Sequence, residues 1–131
     1  MIKIPISIKQ KMVSHCLSQL PNEACGILAG QDNTVTHIYL MENIEKSPVS
    51  FLMDPKEQLQ VFKDIRLKNL KMIAIFHSHP STPARPSEKD IKMAFYPDIY
   101  YVIISFLMIP PSIKAFEIKD SKVKEVEILE A

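Results

Sequence analysis

Both glycines of this 131-residue chain fall in one stretch, Glu23 to Gly30, which reads EACGILAG. Average usage of about 7% would place roughly nine in a chain this long. Spending both here points to open backbone torsions or close backbone approach at Gly26 and Gly30, with a tight strand end and turn as the plainer account. Around this segment the pattern is mixed. Ile2 to Ile8 alternates apolar and polar residues as a strand does. Lys9 to Gln19 then reads as a helix capped by Ser7, with Met12, Val13, Cys16, Leu17 and Leu20 on one stripe. Glu23 to Ala29 and Thr34 to Met41 form a strand pair about the turn signal Gln31-Asp32-Asn33.

A looser segment, Glu42 to Ser50, leads to a brief strand at Phe51 to Met53. Asp54-Pro55 opens a helix reaching about Asn69, with Asp54 as N-cap, Pro55 at the first position and Glu57 completing a capping box. Met72 to His79 is a buried strand, followed by a Pro-rich loop and a short helix over Ser87 to Phe95. Ile99 to Phe106 has the strongest β-branched and aromatic content. Ile113 to Ile118 and Val123 to Leu129 form a terminal hairpin about Asp120-Ser121. Without repeats or linkers, residues 1–131 read as a single α+β domain, a mixed and mostly antiparallel sheet flanked by helices.

Composition excludes several classes. Lys plus Arg, 16, nearly cancels Asp plus Glu, 15, which gives no global electrostatic case for nucleic acid or an anionic membrane. No apolar run approaches the ~18–20 residues that span a bilayer. The start, MIKIPISIKQK, lacks a signal-peptide h-region, and two cysteines make no disulfide framework. The expectation is a cytoplasmic protein.

Chemistry concentrates in HSHPSTPARPSEKD, His77 to Asp90. Strand residues i and i+2 project to one face with Cα atoms roughly 6–7 Å apart, so His77 and His79 can reach one ion. Asp90, delivered by the following loop and helix, offers an oxygen ligand. Two imidazoles and a carboxylate leave one position of a tetrahedral zinc open to water. An H-x-H pair alone is a weak signal, however. Ser87-x-x-Asp90 is equally a plain capping box with Asp90 at its third position. Cys25 shares a strand face with Glu23 and is either a small buried hydrophobe or a thiolate that would close a zinc site. His15 and His37 have no partner at useful spacing and read as surface or helix-face residues.

His77-Ser78-His79-Pro80, six residues, then Ser87-x-x-Asp90 resembles the H-x-H-P-x(6)-S-x-x-D signature of the JAMM (MPN-plus) zinc metalloprotease family. Pro21-x-Glu23-x-Cys25-Gly26-x-Leu28-x-Gly30 is similar to the family's segment carrying its catalytic glutamate, and Tyr96 to Ser105 to its small prokaryotic members. The resemblance covers residues 1 to about 118. It implies the MPN fold with its cytidine-deaminase-like core. It also implies one zinc ion held by His77, His79 and Asp90, Glu23 as general base, and Ser87 as oxyanion stabiliser. Cys25 sits at a position that is not a ligand in the family, and Ser78 and Pro80 shape the ligand loop. The two glycines would then let the Glu23 segment approach the metal strand.

The implied substrate is a peptide or isopeptide bond at the C-terminal glycine of a ubiquitin-like or sulfur-carrier protein. Its extended tail would add to a sheet edge and thread past the metal. The short chain suits the compact prokaryotic type rather than relatives with added insertions. The competing class is a non-catalytic scaffold like the MPN-minus branch, which lacks the ligands present here. A structural zinc site closed by Cys25 and a nuclease-associated relative are further alternatives, the latter disfavoured by neutral charge. The apolar strands and seven methionines allow a dimer face and leave oligomeric state open.

Overall fold

The computed structural model describes residues 1–130. Its elements run β1 (Ile2–Lys3), α1 (Ile6–Gln19), β2 (Cys25–Gln31), β3 (Thr34–Met41), α2 (Pro55–Leu67), β4 (Lys71–His79), α3 (Glu88–Lys92), β5 (Tyr100–Ser105), β6 (Ser112–Lys119), β7 (Lys122–Val126) and β8 (Ile128–Leu129). All eight strands join one sheet in the order β7-β6-β5-β4-β2-β3-β1-β8. Pairing is antiparallel except for β4 with β5 and for β1 with β3 and β8, so the sheet is mixed and mostly antiparallel as expected. Only Glu127 separates β7 from β8, yet they stand at opposite ends of the strand order. The sheet must therefore curl until its two edges approach.

Two helices line opposite faces of the sheet. On one face α1 buries Ile8, Met12 and Cys16, one helical turn apart, against Phe76, Val102 and Ile104. On the other, Ile65 of α2 packs with Ile75, Ile103 and Phe116. The alternation along β4 divides its side chains between these faces, and it carries His77 and His79 to the α2 side. Both two-residue hairpin turns, Asp32-Asn33 and Asp120-Ser121, have positive φ at both positions, the I′ geometry that matches strand twist.

Several local expectations need correction. The chain leaves β1 after Lys3, and α1 starts at Ile6 with Pro5, not Ser7, at the cap. The Pro5 carbonyl accepts from the Ile8 and Lys9 amides. Ile4, Ile6 and Ile8 fit period two, but Ile8 belongs to the helical series with Met12, while Ile6 is exposed. Leu17 and Leu20 also face solvent rather than the stripe. Asp54 caps α2 by accepting from the Lys56 amide, but no capping box forms, because Glu57 accepts from the Glu42 amide instead. The strand at Phe51 to Met53 reduces to one bridge between Asn43 and Met53, since the Asn43 side chain takes over the neighbouring pairing groups. The final strand breaks at Glu127, whose carbonyl accepts from Ile2, and β8 crosses to pair with β1.

Neither glycine has a positive φ, so torsional freedom is not their purpose. A Cβ on Gly26 would overlap the Phe76 ring and the Tyr39 carbonyl, and one on Gly30 the Thr34 carbonyl. Gly26 lets β2 and β4 lie together beneath Phe76. Gly30 serves the irregular step in the β2–β3 ladder between Ala29 and Gly30.

Candidate metal centre

Strand register builds the site. Cys25 of β2 lies opposite His77 of antiparallel β4. Continuing two residues brings Glu23 beside His79, at the carboxyl end of β4 where it runs parallel to β5. The crevice outside such strand ends is where open α/β sheets place ligands. Ser78 locks this junction, since its amide donates to the Ala24 carbonyl at 3.0 Å and its hydroxyl accepts from the Ala24 amide at 2.8 Å.

Three donor atoms converge there. His77 Nε2 lies 3.1 Å from His79 Nε2 and 3.1 Å from Asp90 Oδ2, and His79 Nε2 lies 3.0 Å from the same oxygen. Asp90 Oδ2 also accepts from the Ser87 amide at 2.9 Å, while Ser87 Oγ accepts from the Asp90 amide at 3.1 Å. The capping box therefore forms, and it aims the same carboxylate oxygen at both imidazoles. Helix cap and metal donor are compatible roles for one residue. His79 is oriented through Nδ1, 2.8 Å from the Pro83 carbonyl, the outer bond that fixes a ligand imidazole. His77 is oriented by stacking, with the Phe51 ring 4.6 Å away at 25°.

The electrostatics agree with a cation site. Burial holds the His77 pKa down against the pull of Asp90. Burial also opposes protonation of His79, but Asp90 and the Pro83 carbonyl outweigh it and raise its pKa. For Asp90 burial is likewise overcome, by the two histidines, and the carboxyl stays ionised far below its usual range. Glu23 differs: burial dominates and lifts it to about 8, with His79 offsetting only part. Among the described residues, the buried side-chain atoms Glu23 Oε1 and His77 Nδ1 have no hydrogen-bond partner. Tetrahedral ligands about 2.0–2.1 Å from zinc stand roughly 3.3 Å apart, close to the separations seen here, so the donor set fits such an ion.

Cys25 stays outside the His77–His79–Asp90 cluster. Its buried thiol points at the Glu42 carbonyl, 3.7 Å away, and burial pushes its pKa up to about 12, as suits a small hydrophobe. His15 is half-buried on α1, 3.2 Å from the Cys25 carbonyl, and the His37 ring lies 2.8 Å from Thr36 Oγ1 on β3, away from the cluster. An apolar cleft of about 200 Å³ opens beside His77 and Asp90, walled by Phe51 and Met53 on one side and by Met93, Tyr96 and Tyr101 on the other. This cleft, and Phe51 within it, had no signal in the sequence pattern. Nor is β4 an edge, since β2 and β5 flank it. The strand carrying the histidines therefore has no free edge.

The sequence profile of the family described as prokaryotic homologs of the JAB domain matches residues 5–119. This chain belongs to that family. Among prokaryotic JAB-domain relatives, the CysO-cysteine peptidase of Mycobacterium tuberculosis is 41% identical over 97 residues, covering 72% of this chain and 66% of the relative. The desampylase of Pyrococcus furiosus is 39% identical over 82 residues, covering 62% of this chain and 59% of the relative. The chain thus spans 59–66% of the length of these relatives. A Desulfitobacterium hafniense protein solved in solution superposes with a TM-score of 0.91 at 42% identity, covering 100% of this chain and 93% of that one. The JAB-domain assignment agrees with the resemblance drawn from the sequence motif.

Proposed function

We propose that this chain is a zinc-dependent peptidase or isopeptidase acting at the C-terminal glycine of a ubiquitin-like or sulfur-carrier protein. The observation that carries the reading is the convergence of His77 Nε2, His79 Nε2 and Asp90 Oδ2 within 3.1 Å, with the buried Glu23 carboxyl next to them. Its relatives include proteins named for peptidase and desampylase activities. His77, His79 and Asp90 would hold the ion, which supplies Lewis-acid polarisation of a scissile carbonyl and of water.

The protein's own groups do the rest. Glu23, buried beside the His79–Asp90 pair, is the carboxylate that handles the proton. It takes a proton from the attacking water and returns it to the leaving amine. Ser87 Oγ accepts in the helix cap, which leaves its own O–H free to donate to the oxygen that gains charge. Asp90 stays anionic, and His79 keeps its tautomer through the Pro83 carbonyl. The substrate tail lies in the cleft between the Phe51 loop and α3, whose apolar walls exclude water from the reacting bond. Residues 1–131 act as one domain in this reading, supported by a sheet that contains both ends of the described chain. Among the described residues no helix is long and apolar enough to cross a membrane. A cytoplasmic setting, where such carriers work, is part of the proposal.

The test is cleavage of ubiquitin-fold carriers extended beyond Gly-Gly. Wild type should release the extension, a chelator should stop it, and zinc should restore it. Glu23→Gln should retain zinc and lose about 10²–10⁴-fold in rate. A Glu23→Gln variant that cleaves at the wild-type rate would remove the assigned base.

A further inference from the structure

The Glu23 carboxylate has an unpartnered oxygen, so the backbone does most of the work of holding this residue in place. From the β4 side, Ser78 pairs with both the amide and the carbonyl of Ala24. From the other side, the loop joining β3 to α2 grips Glu23 itself. Its amide donates to the Ser47 carbonyl at 2.8 Å, and its carbonyl accepts from Asn43 Nδ2 at 2.9 Å.

Asn43 is 5% exposed and fully committed. Its Nδ2 also donates to the Ser50 carbonyl at 3.0 Å, and its Oδ1 accepts from the Glu45 and Leu52 amides, each at 3.1 Å. Ser50 and Leu52 straddle Phe51, whose ring lies on His77. One side chain therefore joins the backbone of Glu23 to the loop that carries the ring over His77. An amide suits this place because it offers two donors and an acceptor from one short stem. Aspartate keeps the acceptors and loses both donors, and serine cannot span the gap.

We propose that Asn43 is a positioning residue of the reaction centre, setting Glu23 against the His77–His79–Asp90 cluster and clamping Phe51 over His77. The inference rests on reading that cluster as a hydrolytic metal centre. Its distinguishing claim is that Asn43 acts on chemistry through Glu23 and Phe51, beyond any support it gives to folding.

The experiment uses the full chain loaded with Co²⁺ as a visible probe and with Zn²⁺ for turnover. It compares wild type, Asn43→Ser, Phe51→Leu and a core control, Ile8→Val, on the far face of the sheet. Asn43→Ser should bind one equivalent of cobalt with an altered d–d band. It should lose about 10–100-fold in kcat on a cleavable carrier fusion, the usual cost of an outer-shell loss, with KM little changed. The acid limb of its pH–rate profile should move by about half a unit or more, since the base sits in a different field. Phe51→Leu should surrender cobalt to a chelator several-fold faster than wild type. The control should be less stable to heat and keep both the wild-type band and kcat per bound metal. If Asn43→Ser does not fold, Asn43→Asp, which retains both accepted bonds, is read in the same way. An Asn43 variant with wild-type cobalt band, kcat per metal and pH profile would overturn the proposal. A wild-type protein that cleaves no fusion would refute the hydrolytic reading instead, and the cobalt band would still report whether Asn43 shapes the centre.

Discussion

Glu23 is a carboxyl group kept in a place that disfavours its charge. Its pKa is raised by burial from 4.5 to about 8, so between those values the folded protein holds a proton that the unfolded chain has released. Folding then takes up a proton, and this group lowers stability progressively as pH rises from about 4.5 to about 8. Below that window it is protonated in both states and has no effect. In the metal-free protein, Glu23→Gln should therefore gain over wild type as pH rises. The expected advantage is about 3 °C or more in Tm at pH near 8, shrinking toward pH near 4. Thermal melts across that range are sufficient, and a difference that does not vary with pH would refute the linkage.

At the level of strands and helices, one tight constraint is the seam where β2 passes between β3 and β4 at Gly26. Gly26→Ala must displace either the Phe76 ring or the β3 backbone, and we expect a loss of about 1–3 kcal/mol in urea unfolding. Asp54→Ala, which removes one cap bond of α2, should cost about 1 kcal/mol. A Gly26→Ala protein as stable as wild type would show that the seam can open without penalty. The strand carrying His77 and His79 and the hairpins were legible in the sequence because their signals are local: alternation, an H-x-H step, paired turn residues. The start of α1 was misread because Ile4, Ile6 and Ile8 satisfy two periods at once, and only the buried face of the helix decides between them. Asn43 and Phe51 were invisible for a different reason. Their roles come from side-chain bonds and ring stacking in an irregular loop, where no periodicity exists to be read. The closeness of Glu23 to His79 was legible only through the long motif, since the two lie 56 positions apart in the chain.

For the molecule as a whole, the metal should add stability without creating the fold, because two apolar clusters line the sheet, one of them on the face away from the site. Zinc at about a thousandfold over its Kd should raise stability by about 4 kcal/mol. Calorimetry with zinc and with chelator measures this directly, and an unfolded apo-protein would contradict it. Removing residues 128–131 should be far more harmful than so short a deletion suggests. The Ile4 amide would lose its partner at Leu129, and fully buried Ile2 and Ile4 would lose the cover of Ile128. We expect a clear fall in Tm, and an unchanged melt would show that the parallel pair of β1 and β8 contributes nothing. That pairing also has a temporal side. A ribosome makes Ile2 first and Ile128 only after 125 intervening residues, so a growing chain carries its first strand without its outer neighbour throughout most of synthesis. Until β8 has been made, the outer edge of β1 stays open on the growing chain, and the sheet cannot complete its order before that point.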